Sequence, residues 1–377
     1  MAATESGIKP EPNLLRTLSQ DAQHIWKEVR RYGLRRMIDR TLVELQDFYL
    51  DADARERLLA MGKVRRAFYL AARLLKSLFL KLTPARRVLL ALSVVFMLQA
   101  ASVERNGETT HISIQFPFLG IVTLLLILML ELKDKLVARN ELEAGRSVQR
   151  ALMPDKNPTI PGWDAWLFTR SANDVGGDLV DYMPVDSQRF GIAVGDVAGK
   201  GLPAALLMAK LQATLRALAV EETSLVTLGQ KTNRILCRDG LPNRFATLVY
   251  LDVCARSGSV RLLNAGHPRP LVVRGTTLEE LPIGSIALGM LPEATFSEQN
   301  VDLADGDVLI IFSDGLTEAM NDRDEFFGDE RLRARLPALA RLAAEDIGTR
   351  VVAAVDEFVG DRRPHDDLSL VVLRRVS

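Results

Sequence analysis

The sequence predicts an α+β domain in the C-terminal half of the chain, preceded by an α-helical half that contains two uncharged apolar runs. From Trp163 onward, short runs rich in Val, Ile, Leu and Phe are bounded by turn residues, which is typical of strands. Helical patterns lie between groups of these runs, which favours largely antiparallel sheets. Before Trp163 the apolar residues recur at helical spacing, and the uncharged runs lie at 88–103 and 112–130.

The composition excludes several classes of protein. A chain of 377 residues is long enough for two or three domains. Its formal net charge of zero does not indicate binding to nucleic acid. Cys237 and Cys254 are its only cysteines, and neither lies at ligand spacing from a histidine, so we expect no disulfide framework and no zinc site. The polar first dozen residues contain Pro10 and Pro12, which predicts no cleaved signal peptide.

Residues 1–87 are predicted to form a helical, basic, membrane-proximal region. Between Lys63 and Arg87 basic residues are interleaved with apolar ones and no acidic residue occurs. This composition is typical of a basic amphipathic helix at an anionic membrane surface. A solvated helix face explains the segment equally well when it is taken alone.

Residues 88–132 are predicted to form a two-helix transmembrane hairpin. A spanning helix needs about 20 apolar residues; the second uncharged run approaches that length and the first is shorter. Buried core helices are the competing explanation. The polar turn at 104–110 and the basic flanks, Arg86-Arg87 on one side and Lys133 with Lys135 on the other, favour the hairpin. The positive-inside rule then places both ends, and the C-terminal domain, in the cytoplasm, which predicts a multi-pass protein of the cytoplasmic membrane.

Residues 133–160 are predicted to form a helical linker that ends near Met153-Pro154, so that the last domain covers 161–377. A partial apolar seam suggests a homodimer through residues 131–152, either as a coiled coil or as a docking helix. The seam consists of Leu132, Leu136, Val148 and Leu152.

Four aspartates of the last domain share one context, because each lies beside an apolar, strand-like run: Asp178, Asp196, Asp314 and Asp366. Taken singly, each is explained as a helix cap or a turn residue. Together they form an oxygen-only set, which is the chemistry that Mg²⁺ and Mn²⁺ prefer. Clustered carboxylates repel one another unless a cation lies among them. Water bound by two such ions becomes a nucleophile, which predicts direct hydrolysis of a phosphoester.

Several motifs around these aspartates occur in the order seen in one family. They are Gly176-Gly177-Asp178, the segment 195–205, Asn264-Ala265-Gly266-His267, the segment 313–319, and His365-Asp366-Asp367-Leu368-Ser369. Over roughly residues 145–377 the chain resembles the bacterial PPM-type serine/threonine phosphatases of the SpoIIE and RsbU group. The resemblance implies a PPM-type αββα sandwich with two divalent cations, Mn²⁺ or Mg²⁺.

The resemblance also implies roles for individual residues. Asp196 would be the catalytic bridge between both ions, assisted by the backbone carbonyl of Val197. Asp178 would bind one ion, and Asp314 with Asp366 would bind the other.

Three further features have expected roles under the same resemblance. Asp367 falls just outside the matched ligand position and is expected to support the ligands. His267 is either a turn histidine or a proton donor. The helical patterns at 203–219 and 224–238 correspond to the helices that act as a regulatory switch in such phosphatases.

The resulting expectation is a membrane-anchored phosphatase that acts on phosphoserine or phosphothreonine in proteins. The family's usual substrates are phosphorylated anti-sigma-factor antagonists in partner-switching pathways, so a phosphoprotein of this kind is the expected partner. Two alternatives remain open: a catalytically idle, membrane-tethered scaffold, and a metal-dependent hydrolase of small phosphoesters.

Overall fold

A computed structural model describes residues 79–98, 117–154, 157–240, 244–255 and 257–376, with a few separate positions between 62 and 76. The chain divides into two compact units, residues 1–134 and 135–377. The helices predicted within 14–59, and residues 99–116 of the predicted hairpin, lie outside the described residues.

Helix α1 (Pro84–Leu98) and the first half of helix α2 (Pro117–Leu152) pack against each other within the first unit. A Cβ atom on Gly120 would lie 2.8 Å from the carbonyl oxygen of Ser93, so the two backbones approach as closely as only glycine allows. At the first turn of α1, Arg86 forms ion pairs of 2.6 Å with both Glu131 and Asp134. The two contacts together show that α1 and α2 run antiparallel.

The described residues contain one helix that is long and apolar enough to cross a membrane, Leu202–Glu221. That helix belongs to the second unit, and eight of its residues are buried in a hydrophobic core. The predicted hairpin at 88–132 therefore stays a prediction. Its helices nevertheless expose many large apolar side chains, including Val95, Met97, Leu125, Leu128 and Met129.

The second unit contains two five-stranded sheets. The first has the order β1-β10-β9-β6-β7, made of Trp163–Arg170, Leu368–Arg375, Val308–Phe312, Leu271–Arg274 and Thr277–Glu280. The second has the order β2-β3-β4-β5-β8, made of Leu179–Pro184, Arg189–Val197, Ala246–Cys254, Ser259–Ala265 and Glu298–Asp302. All the strand pairs named within these sheets are antiparallel, as the sequence predicts.

Helices cover the outer faces of both sheets. Helices α3 (Leu202–Glu221) and α4 (Leu225–Asp239) pack on the second sheet. The one-turn helix α5 (Asp314–Thr317), α6 (Gly328–Leu339) and α7 (Ala344–Val359) lie on the side of the first sheet. The result is the αββα sandwich that the resemblance implies.

Alternation along the strands creates three hydrophobic layers. On β9, Leu309 and Ile311 face the second sheet, whereas Ile310 and Phe312 face the helices on the outer side. On β3, Ile192 lies in the layer between the sheets, while its neighbour Ala193 faces α3 and α4. Because side chains alternate with a period of two, both faces of each central strand must be apolar, which explains the continuous apolar runs in the sequence.

The predicted boundaries differ from the structure at some elements. Strand β3 has the expected bounds, but the short, charged β7 and β8 were not predicted. Helix α6 begins earlier and ends earlier than the predicted 331–344. The linker helix ends at Leu152 as expected, and its seam residues Leu132, Leu136, Val148 and Leu152 are exposed, so the homodimer stays a prediction.

Candidate active site

Asp178 is a buried carboxylate just before β2, with 3% of its surface exposed. The hydroxyl of Ser369 on β10 donates a hydrogen bond of 2.6 Å to its Oδ2 atom. Burial raises the pKa of Asp178 well above its ordinary value, and the nearby charge of Asp196 raises it further. A carboxylate in this position is therefore costly to ionise unless a positive charge lies beside it.

Asp196 lies at the end of β3, where its Cα atom pairs with that of Thr247 on β4. The backbone amide of Asp196 donates a hydrogen bond of 3.3 Å to the Thr247 hydroxyl. Burial raises the pKa of Asp196 to about 6, and the charge of Asp314 adds to that shift. The charge of Asp196 in turn raises the pKa of Asp178, so these two carboxylates form the centre of the site.

The loop before β2 comes close to the end of β3 because it contains two glycines. A Cβ atom on Gly177 would lie 3.1 Å from the carbonyl oxygen of Val197 and 3.4 Å from Oδ1 of Asp196. The absent side chain leaves a recess faced by the two groups that the resemblance assigns to metal binding.

Asp367 holds this loop in place. Its Oδ2 atom accepts a hydrogen bond of 2.6 Å from the Gly177 amide, and its Oδ1 atom accepts one of 2.8 Å from Ala172. Both carboxylate oxygens are thereby engaged with backbone groups, in agreement with the expected supporting role.

Asp314 and Asp366 approach the same centre from the first sheet. Asp314 is the first residue of α5, and its pKa is raised by burial and by the charge of Asp366. Asp366 forms an ion pair of 3.0 Å with Lys200, which also donates a hydrogen bond of 2.7 Å to the carbonyl of His365. Lys200 thus supplies a positive charge at the edge of the carboxylate cluster.

The four aspartates are neighbours, but they do not form a closed ligand set. Among the described residues no three acidic, histidine or cysteine side chains lie close enough together to hold one ion. What the structure brings together is the interacting pair Asp178 and Asp196, and the charges of Asp314 and Asp366 that act on Asp196. Oxygen ligands, burial and mutual repulsion are the conditions under which a hard divalent cation binds, so the residues present fit such an ion.

His267 has a structural position, which favours the turn-histidine interpretation. Its backbone amide donates to the Asn264 side chain at 3.0 Å, and its Nδ1 atom lies 2.8 Å from the Thr247 hydroxyl. Burial lowers the pKa of His267 to about 3, so the ring is neutral at pH 7. Through Thr247 it supports the backbone of Asp196.

Sequence reasoning missed two of the supporting residues of the site, Ser369 and Thr247. Ser369 was quoted within a motif but received no role, and Thr247 lies in a strand that is otherwise read only as core. Hydroxyl side chains are common in strands, so their partners become evident only once the strands are placed in register.

The αββα sandwich of this chain has the fold of the PP2C domains. The fold is shared with the solved SiaA-PP2C domain of Pseudomonas aeruginosa, at a TM-score of 0.58 and 22% identity over 64% of this chain and 98% of that one. It is also shared with a SpoIIE structure from Bacillus subtilis that holds the PP2C phosphatase domain and a fragment of the regulatory domain. That match has a TM-score of 0.51 at 19% identity and covers 58% of this chain and 61% of that one.

The family model of stage II sporulation protein E (SpoIIE) matches residues 186–376, which is half of the chain. The protein therefore belongs to the SpoIIE family, as the motifs indicate. Similar curated proteins are the protein IcfG of Synechocystis, 28% identical over 55% of this chain, and the phosphoserine phosphatase RsbU of Bacillus subtilis, 25% identical over 63%. The matched regions cover 37% of IcfG and 70% of RsbU.

Proposed function

We propose that this protein is a membrane-anchored, metal-dependent phosphatase that removes phosphate from phosphoserine or phosphothreonine in a protein substrate. The observation that carries the proposal is the buried pair Asp178 and Asp196, whose pKa values are both raised by burial and by neighbouring carboxylates. Such a pair is poised for a cation and has no evident structural use. RsbU and RsbP of Bacillus subtilis, both named phosphoserine phosphatases, support the reaction class.

The residues that would hold two divalent ions are Asp178, Asp196, Asp314, Asp366 and the carbonyl of Val197. When bound, ions of this kind lower the pKa of a water molecule and stabilise the charge that develops on a phosphoryl group. Ser369 fixes the orientation of Asp178, and Asp367 fixes the loop that contains it. Thr247 and His267 hold the backbone at Asp196, so Asp178 and Asp196 are both oriented by neighbouring groups of the chain.

The test is phosphate release by the full-length protein in detergent, with a phosphoserine peptide and with a small aryl phosphate. We expect turnover with Mn²⁺ or Mg²⁺, none after chelation, and a loss of at least about a hundredfold in Asp196→Asn, because a lost ligand removes the ion that it holds. Asp302→Asn is the matched control, since Asp302 is exposed on β8 at the edge of the second sheet. Turnover of Asp196→Asn at the wild-type rate would contradict the metal assignment.

The two alternatives make different predictions in the same assay. The idle scaffold is favoured by the absence of any set of three converging ligands among the described residues, and it predicts no turnover with any ion. A hydrolase of small phosphoesters predicts turnover of the aryl phosphate and none of the peptide. Turnover of the peptide by the metal-loaded protein would reject both.

The proposed biological setting is partner switching at the cytoplasmic membrane, with a phosphorylated anti-sigma-factor antagonist as substrate. One related solved structure contains the RsbU and RsbW domains of a Mycobacterium tuberculosis protein, at 24% identity and a TM-score of 0.52 over 58% of this chain and 61% of that one. The membrane location is supported by the close antiparallel packing of α1 and α2 at Gly120 and by their exposed apolar side chains.

A further inference from the structure

A cleft of about 420 Å³ opens beside the carboxylate cluster of the second unit. Asp196, Asp314 and His267 line one part of it, and two arginines, Arg269 and Arg333, line another. Arg269 lies just before β6 and Arg333 lies on α6. A group held by the aspartate side of this cleft therefore shares one cavity with two guanidinium groups.

Both arginines are oriented by one carboxylate, that of Glu280 at the end of β7. The Nη1 atom of Arg269 lies 3.0 Å from one oxygen of Glu280, and the Nη2 atom of Arg333 lies 2.8 Å from the other. Arg269 also donates from Nε to the carbonyl of Leu281 at 2.6 Å. The two guanidinium groups and the one carboxylate together have a net charge of +1. Their contacts with Glu280 fix the orientation of both arginine side chains.

Arg333 retains an unused donor. Its Nε atom is buried, and among the described residues it has no hydrogen-bond partner. Buried donors are nearly always satisfied, so Arg333 has hydrogen-bonding capacity that Glu280 does not use. A guanidinium group offers five N–H donors in one plane, which suits the oxygens of phosphate or carboxylate.

Asp329, in the first turn of α6, also lines the cleft. Its negative charge opposes an incoming anion, so the anion is expected to lie toward the arginines and away from this residue. Within this cleft an anion is therefore favoured only beside the two arginines.

We propose that Arg269, Glu280 and Arg333 form an anion-binding subsite for the substrate of the neighbouring carboxylate centre. The bound group is either the phosphoryl oxygens themselves or an acidic side chain next to the phosphorylated residue. Glu280 orients both guanidinium groups and limits their affinity, so that an anion competes with it for the arginines. This subsite rests on the proposed phosphatase function, whose substrate it would recognise.

A purely structural role for the cluster predicts a different pattern of variants. The pair between Arg333 and Glu280 joins α6 to β7, and either Arg333→Gln or Glu280→Gln breaks it. If the pair only stabilises the fold, both variants lower stability and activity in the same direction. If it is an anion subsite, Arg333→Gln weakens substrate binding, whereas Glu280→Gln removes the competing carboxylate and strengthens it.

The experiment measures kcat and KM of the full-length, Mn²⁺-loaded protein in detergent. The substrates are a small aryl phosphate, a phosphoserine peptide with acidic flanks, and the same peptide with neutral flanks. We expect Arg333→Gln and Arg269→Gln to raise KM about tenfold with little change in kcat, because binding energy is lost equally from ground and transition states. Glu280→Gln is expected to lower KM, and Arg341→Gln, exposed after α6, is the matched control.

The three substrates identify the bound group. A rise of KM on all three means that the arginines bind the phosphoryl oxygens, and a rise confined to the acidic peptide means that they bind a flanking carboxylate. An unchanged KM on every substrate, or parallel losses in Arg333→Gln and Glu280→Gln, would overturn the subsite.

A second measurement separates the subsite from the phosphatase function. If the wild-type protein hydrolyses none of the substrates, the proposed function fails, and binding of inorganic phosphate to the Mn²⁺-loaded protein is then measured by calorimetry. Binding by wild type that is lost in Arg333→Gln would uphold the subsite without the reaction. No binding, or equal binding by both proteins, would reject it.

Discussion

At the scale of single residues, the site is defined by carboxylates whose ionisation is opposed by their surroundings. Asp178 is almost fully buried and Asp196 is partly buried. The charge of Asp196 raises the cost of ionising Asp178, and the charges of Asp314 and Asp366 raise the cost of ionising Asp196. Neither residue is explained as a helix cap or a turn residue. A cation beside this pair interacts with the carboxylates more strongly than it would at the protein surface, because the buried site has a lower effective dielectric constant.

The raised pKa values predict how the stability of the metal-free protein depends on pH. Between its ordinary value and about 6, Asp196 holds a proton in the folded protein that it releases on unfolding, so stability falls as pH rises through that range. Asp196 alone contributes a loss of roughly 1–2 kcal/mol in the free energy of unfolding between pH 5 and pH 7.5. Urea unfolding with chelator present, followed by the fluorescence of Trp163 and Trp166 on β1, measures it.

Asp196→Asn isolates the contribution of that carboxylate. The variant should lose less stability than the wild type as pH rises, and Asp302→Asn should behave like the wild type. Saturating Mn²⁺ should reverse the wild-type trend, because the ion binds the ionised carboxylates and stabilises the folded state. The same pH slope in Asp196→Asn and in wild type would show that Asp196 does not titrate as described.

At the scale of elements, the sequence predicts what depends on local pattern and misses what depends on pairing. Strand β3 is predicted with its exact bounds because its apolar run is buried on both faces. Strands β7 and β8 are short and charged, and they are held by hydrogen bonds to β6 and β5. No local signal marks such strands, and Glu280 on β7 could not be related to Arg333 before the fold was known.

The same limit applies to the candidate site. The four aspartates were found because each follows or precedes an apolar run. The resemblance to the SpoIIE and RsbU phosphatases then implied the role of each one. The residues that hold them, such as Ser369 and Thr247, act across strands that are distant in sequence. Their partners are set by sheet register, which the sequence alone does not reveal.

The linker helix α2 makes a specific connection to the site. Gln149 is buried near the end of α2, where its side chain donates to the carbonyl of Gly176 at 2.8 Å and accepts from the amide of Gly176 at 3.1 Å. The next residue but one is Asp178. The helix and the carboxylate loop are thus bonded through both groups of a single amide side chain.

Gln149→Met, which keeps the size of the side chain and removes both hydrogen bonds, should loosen the loop. Two hydrogen bonds of about 0.5–1.5 kcal/mol each hold it, so we expect the half-saturating Mn²⁺ concentration to rise roughly tenfold. Titration of activity with Mn²⁺ measures the change, and Arg150→Gln, exposed one residue further along, is the control. An unchanged Mn²⁺ requirement in Gln149→Met would show that the loop holds its position without the helix.

At the scale of the whole molecule, the first unit has the distribution of apolar and charged residues that is expected at a membrane. Helix α2 has large exposed apolar side chains before Glu131 and a charged sequence after it. Arg86, Glu131 and Asp134 form ion pairs where that character changes. Charged groups at one end of an apolar helix pair are expected at a membrane surface, because burying them in lipid is costly.

Two substitutions on helix α2, one within the predicted span and one beyond it, test the membrane location. Leu125 and Leu136 lie on the same helix, and 53% and 50% of their respective surfaces are exposed. An arginine within the bilayer costs about 2.5–3.5 kcal/mol, so Leu125→Arg should weaken membrane integration, whereas Leu136→Arg, beyond the predicted span, should not. The measurement is the fraction of full-length protein that stays with the membrane pellet after alkaline carbonate extraction. Release of the wild type, or equal retention of both variants, would refute the hairpin. A separate protease experiment tests the side of the membrane: digestion of the second unit in inverted vesicles but not in spheroplasts would place that unit in the cytoplasm.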